Sequence, residues 1–230
     1  MTITKNKPIF RFGALLLTFA MLLALTPLGA MTARAAGETA PQLSEGAWTW
    51  TTPGVVATME VASDATLAED KAMEKSSQWS TDGATWSADD LTTAIVAAQR
   101  GDKLYIYTPL SGMGVTSNAI LPNIKAAVAV DIDPSITAGG HYFMAYYAKN
   151  CTSLTKLGVP DTSKLETVGN NFMNAYAYAC SSLTELDVPD TSGITAAGNL
   201  FMGSYARECS LLTTLDVPDT SKLETADDNF

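Results

Sequence analysis

The stretch FMNAYAYACSSLTELDVPDTSGITAAGNL, residues 172–200, decides the fold, because the chain says it again on either side. Phe143, Phe172, Phe201 and Phe230 stand 29 residues apart. The same step separates Cys151, Cys180 and Cys209, and again Pro160, Pro189 and Pro218. A fixed period of this length signals stacked structural units, each touching its neighbours, in place of one closed core. A lone unit buries too little apolar surface to offset the ordering of its backbone, so stacking has to supply the difference.

Within the unit, Leu183, Leu186 and Val188 read L-x-x-L-x-V, a short strand with apolar residues alternating into a core. Its neighbours carry Leu154, Leu157, Val159 and Leu212, Leu215, Val217. The proline after each valine removes a ladder donor and ends the strand. Asp-Thr-Ser then turns the chain by side-chain-to-backbone bonds, and one inward residue follows: Leu165, Ile194 or Leu223. The return leg reads as a helix. Asn170, Asn199 and Asp228 share the N-cap position. Phe172, Tyr176 and Ala179 recur at i, i+4 and i+7. Each unit is therefore expected to run strand, turn, loop, two-turn helix.

These units resemble the BspA-like leucine-rich repeats of bacterial surface proteins, which run roughly L-x-x-I-x-I-P and then I-G-x-x-A-F-x-x-C-x-x-L. The match is carried by Leu154, Leu157, Val159 and Pro160, then by Val168-Gly169, Phe172, and Cys180 leading to Leu183. Phe172 and Cys180 lie farther apart than in that pattern, and Asp227 stands where Gly169 and Gly198 stand in the earlier copies. The resemblance covers about residues 129–230. It implies an α/β leucine-rich-repeat solenoid, surface display, and adhesion or protein binding.

Outward from the repeats, residues 1–35 read as a signal peptide. Lys5, Lys7 and Arg11 precede a mostly apolar run, and Ala33-Arg34-Ala35 fits an A-x-A cleavage site. A membrane anchor is the competing reading of that run. Cleavage removes four basic residues and leaves 10 against 24 acidic ones, a net charge of −14. Such a balance argues against nucleic acid or an anionic membrane as partner. The expected location is secreted or cell-surface.

Residues 36–128 form a leader and a small β-rich α+β capping domain, of the kind a solenoid needs over its first face. Trp48 and Trp50 alternate with threonines as in a strand. Asp82-Gly83 between Trp79 and Trp86 signals a hairpin. Ser87 with Asp90 forms a capping box before Leu91, Ile95 and Ala98 at helical spacing, and Gly101 closes that helix. Leu104 and Ile106 then alternate with Tyr105 and Tyr107 in a strand. This helix-Gly101-Asp102-strand run resembles the opening of right-handed β-helix proteins such as pectin-degrading lyases. Residues 129–230 hold one degenerate and three regular repeats. In the degenerate one, Val130–Met144, aligned with Leu186–Met202, Val130, Ile132, Ile136 and Phe143 take the inward places.

Several side chains recur in columns. Cys151, Cys180 and Cys209 fall within disulfide range of their neighbours, and export allows oxidation; a ladder of buried thiols is the favoured reading. Asp161, Asp190 and Asp219 would repel one another unless each accepts backbone N–H groups in its own turn, or a calcium ion sits among them. The first is favoured. Tyr147, Tyr176 and Tyr205 read as core, with an aromatic contact strip as the alternative. His141, the single histidine, falls at the N-cap position of the degenerate unit. No zinc spacing, phosphate loop or nucleophile–base pair is visible, so no metal, cofactor or catalytic residue is assigned.

The residues between the inward ones face out along the sheet: Lys156 and Gly158, Glu185 and Asp187, Thr214 and Asp216. They vary between copies while the inward set barely changes, which leaves them free for recognition. The candidate binding surface is thus Lys156, Glu185, Asp187, Thr214 and Asp216. The expectation is a non-enzymatic recognition or adhesion module for an extracellular or host protein, with a glycan as second candidate. An open end of the stack also invites end-to-end self-association. The alternative is a parallel β-helix enzyme acting on extracellular polysaccharide.

Overall fold

A computed structural model describes residues 38–61, 77–89, 94, 102–113, 119–122, 124 and 126–227. The signal-peptide segment, Asp90, the helix expected over 91–101 (apart from Ala94, which is helical), Asp228 and Phe230 lie outside the described residues.

Two short strands open the described chain. β1 (Gln42–Ser44) and β2 (Ala47–Thr49) pair antiparallel across Glu45 and Gly46, whose φ angles of 49° and 83° are those of a tight hairpin turn. β3 (Gly54–Glu60), β4 (Gln78–Ser80), β5 (Lys103–Pro109) and β6 (Ala126–Ile132) follow, and β8 (Lys156–Leu157) joins them in a sheet ordered β4-β5-β3-β6-β8. Its first three pairings are antiparallel, and β6 with β8 is parallel. The expected hairpin at Asp82-Gly83 is present: Trp79 bridges Ser87, and the Asp82 carboxylate accepts the N–H groups of Ala84 and Thr85. Alternation along β5 divides two cores. Leu104 and Ile106 join the main core, while Tyr105 and Tyr107 pack with Val56, Trp48 and Trp86 on the other face.

The main core runs without a break from Val55 and Ile106 through Phe143 and Leu165 to Phe201 and Cys209. Successive 29-residue coils pair in parallel. β7 (Ala138–Gly139), β9 (Thr167–Val168), β10 (Ala196–Ala197) and β11 (Thr225–Ala226) form one ladder. On the second face β8 is the one strand among the described L-x-x-L-x-V segments and Lys156 bridges Glu185; the strand expected over 212–217 does not form, and Leu215 and Val217, expected to point inward, are exposed because no described coil packs over them. Identical side chains stack upon one another. Phe143, Phe172 and Phe201 have ring centroids 5.8 and 5.4 Å apart, and Tyr147, Tyr176 and Tyr205 lie 5.5 and 5.3 Å apart, all stacked nearly parallel.

That spacing corrects the helical return leg. None of the described residues of the repeats is α-helical. An α-helix with side chains is about 10 Å across, twice the distance at which these coils stack, so a helical leg would force them apart. The backbone instead switches the sign of φ, positive at Asn171 (61°), Met173 (46°), Ala175 (53°) and Ala179 (59°). The N–H groups of Asn171, Ala175, Ala177 and Ala179 donate to the carbonyls of Asn199, Gly203, Tyr205 and Arg207 in the next coil. Left-handed φ costs a non-glycine residue roughly 1–2 kcal/mol, a penalty offset here by bonds between coils that a helix would have made within itself.

The N-cap reading of position 170 falls with the helix. Asn170 Oδ1 accepts the backbone N–H of Asn199 at 3.0 Å, and His141 Nδ1 accepts that of Asn170 at 3.0 Å. Each side chain caps the next coil in place of its own leg. This ladder explains the glycines beside it. A β-carbon at Gly198 would collide with Asn170 Oδ1, and one at Gly169 would lie 2.7 Å from His141 N. Asp227 takes that place in the following coil, and there Asn199 Oδ1 is buried with no partner among the described residues.

The first coil also departs from the expected alignment, which set Val130 against Leu157. The structure pairs Ala127 with Leu157, while Gly139 pairs with Val168. A bulge accounts for one residue of that offset. Thr58 pairs with Ala129 and Met59 with Ala127, so Val128 is an extra residue in β6. The first coil is one residue longer at this point, not two shorter.

Candidate functional site

The strand–turn corner repeats as V-P-D-T-S at residues 159–163, 188–192 and 217–221. Proline stops the ladder and aspartate closes the turn. Asp161, Asp190 and Asp219 each accept the N–H of the serine two residues on, at 3.0, 2.9 and 2.8 Å. Consecutive corners are tied by buried threonines: Thr162 Oγ1 donates to the Asp190 carbonyl at 2.5 Å, and Thr191 Oγ1 to that of Asp219 at 2.6 Å. The aspartates are therefore held one coil apart by the backbone.

This geometry answers the repulsion expected of the column. The serine hydroxyl and N–H bonds hold all three carboxyls below the usual carboxylate range, with Ser163 and Ser192 acting mostly through the hydroxyl and Ser221 mostly through the N–H. Asp161 and Asp219 push Asp190 the other way, against that pull. Among the described residues, no group of three or more His, Cys, Asp or Glu side chains is placed to hold a metal ion.

The strand-face candidates divide. Lys156, Glu185, Asp187, Thr214 and Asp216 are all exposed, and Gly158 is half-buried. Asp187 and Asp216 line a groove of about 610 Å³ together with Asp161, Asp190 and Asp219, over a floor of valine and proline from the three corners. Lys156, Glu185 and Thr214 do not line it; they lie one step back on the strands. The turn aspartates were legible as a column in the sequence. Their convergence with Asp187 and Asp216 was not, because it depends on how sharply the proline corner brings strand and turn together.

The carbonyls under this face are engaged from inside. Tyr176 Oη donates to the Gly158 carbonyl at 2.8 Å, and Tyr205 Oη to that of Asp187 at 3.0 Å. The tyrosine column is thus core and anchors the strand from beneath. In the first coil β6 takes that place, with its register changed by the bulge, and the buried Tyr147 Oη has no partner among the described residues.

The groove offers five carboxylates, an apolar floor and no basic lining residue. It suits the aliphatic stem of a lysine or arginine lying over valine and proline with its charged head among the aspartates. Comparison with protein-family models, curated proteins and solved structures returns no match.

Proposed function

We propose that this protein is an exported recognition module of leucine-rich-repeat type that binds a basic segment of an extracellular protein in the aspartate groove. The observation that carries this reading is the gathering of Asp161, Asp187, Asp190, Asp216 and Asp219 on one rigid, repeat-built surface. Export is supported by the basic start, apolar run and A-x-A site of residues 1–35. A polysaccharide enzyme of the pectin-lyase kind would handle a polyanion, which this groove would repel, so binding is favoured over catalysis.

The test uses an oligolysine peptide and a neutral glycan of similar length as probes. The expected result is salt-sensitive binding of oligolysine alone, weakened at least tenfold when Asp187, Asp190 and Asp216 are all replaced by asparagine. Binding unchanged in that variant, with its thermal unfolding intact, would move the site away from the groove. Binding of the neutral glycan by both proteins would favour the carbohydrate reading.

A further inference from the structure

Cys151, Cys180 and Cys209 occupy one position in three consecutive coils, and each thiol donates toward a backbone carbonyl of the preceding segment. Cys180 Sγ reaches the Ala148 carbonyl at 3.0 Å and Cys209 Sγ that of Ala177 at 3.0 Å, while Cys151 Sγ lies farther from the carbonyls of Leu121 and Pro122, at 3.5 and 3.6 Å. The ring columns give the distance between the second and third coils as 5.3–5.4 Å. That lies within the span of about 4.4–6.8 Å between the α-carbons of a disulfide. The Cys180 and Cys209 thiols are close enough to shift one another's titration.

Access separates the three. Cys151 is 1 % exposed and Cys180 not at all, whereas Cys209 is 9 % exposed. Only Cys209 is placed to meet a reagent first, and Cys180 is the thiol next to it. The adjoining Cys180 thiol draws the Cys209 pKa down to about 7, with burial opposing it. The same contact, and then burial, push the Cys180 thiol up. The least buried thiol, with its pKa lowered, beside a fully buried one is the order expected of an attacking and a resolving cysteine.

We propose that Cys209 and Cys180 form a disulfide clasp between the last two described coils, made by exchange with a small-molecule disulfide, with Cys151 left as a thiol. The Cys209 thiolate attacks one sulfur of the oxidant, breaking its S–S bond and releasing one thiol as a mixed disulfide forms. Cys180 then gives up its proton to the departing group and attacks Cys209 Sγ, releasing the second thiol. Two protein thiols lose two electrons, and the oxidant's disulfide is reduced to two thiols. The clasp does not depend on the groove reading.

The test incubates the full chain with oxidised glutathione, alkylates it in denaturant, and maps the peptides by mass. The expected result is loss of two hydrogens, a peptide joined through Cys180 and Cys209, and alkylation at Cys151 alone. Three alkylated cysteines, a glutathione adduct that stays on Cys209, or a link through Cys151 would each overturn the proposal. In Cys209→Ser, Cys151 and Cys180 should both remain alkylatable; a Cys151–Cys180 link there would show that Cys209 is not the point of entry. The peptide map of the unaltered chain decides the matter if that variant does not fold.

Discussion

Asn170 holds the backbone N–H of Asn199 on its side-chain oxygen at 3.0 Å, one full repeat away. The two asparagines occupy the same position, yet among the described residues only Asn170 makes this bond, and Asn199 Oδ1 is buried with no partner among them. Asn170→Ala should lower stability by about 1 kcal/mol or more, since it strands a donor in the next coil. Asn199→Ala should be neutral or slightly stabilising. Chemical denaturation of both variants checks this; equal losses would mean that each side chain caps its own leg after all.

The sign of φ in the return leg gives a second expectation. Ala179 and Ser204 sit at φ 59° and 54°, where glycine is free of the penalty an L side chain meets. Ala179→Gly and Ser204→Gly should leave stability unchanged or raise it by up to about 1 kcal/mol, once the greater freedom of glycine in the unfolded chain is counted. In a helix the same changes would cost about 0.5–1 kcal/mol. Thermal unfolding therefore reads the leg conformation by the direction of the shift.

The tyrosine column offers a matched pair. Tyr176 and Tyr147 are both fully buried and stacked in the same column, but among the described residues only Tyr176 of the two has an acceptor for its hydroxyl, the Gly158 carbonyl. Tyr176→Phe should cost about 1 kcal/mol. Tyr147→Phe removes a buried hydroxyl that has no partner and should stabilise by a similar amount. Denaturant midpoints for the two variants should move in opposite directions.

Acid should loosen the corners. Asp161, Asp190 and Asp219 have folded pKa values below their unfolded ones, because serine donors favour the charged form. Depressed carboxyls contribute stability that is present above the unfolded value, near pH 4, and is lost as pH falls through the folded values. Stability measured from about pH 5 downward should therefore decline. Replacing all three aspartates by asparagine should flatten that decline; an unchanged slope would place the acid-sensitive groups elsewhere.

Much of the architecture was legible before any coordinates. The 29-residue step, the inward leucines of the first two regular copies and the aspartate–serine turn all act over a few residues, and the structure keeps them; in the third copy Leu215 and Val217, read as inward, are exposed. Leu157 and Leu186 are buried as their pattern requires. The strands on either side of the Asp82-Gly83 hairpin and the alternation of β5 were equally plain. The outward residues were correctly exposed, but their division into Asp187 and Asp216 within the groove and Lys156, Glu185 and Thr214 outside it was not visible.

What the sequence determined by itself is the repeat and the inward leucines of its first two regular copies, because apolar periodicity is a property of the chain alone; that Leu215 and Val217 stand exposed depends on what packs over the last described coil. The conformation of the return leg was decided only by the tertiary structure. Phe172 and Tyr176, four residues apart, suit a helix and a leg of changing φ equally well, and nothing local separates the two. The neighbouring coil does: with rings stacked at 5.3–5.8 Å there is no room for a helix about 10 Å wide. Backbone N–H groups that a helix would satisfy within itself turn to the next coil, and with them turn the side chains of His141 and Asn170.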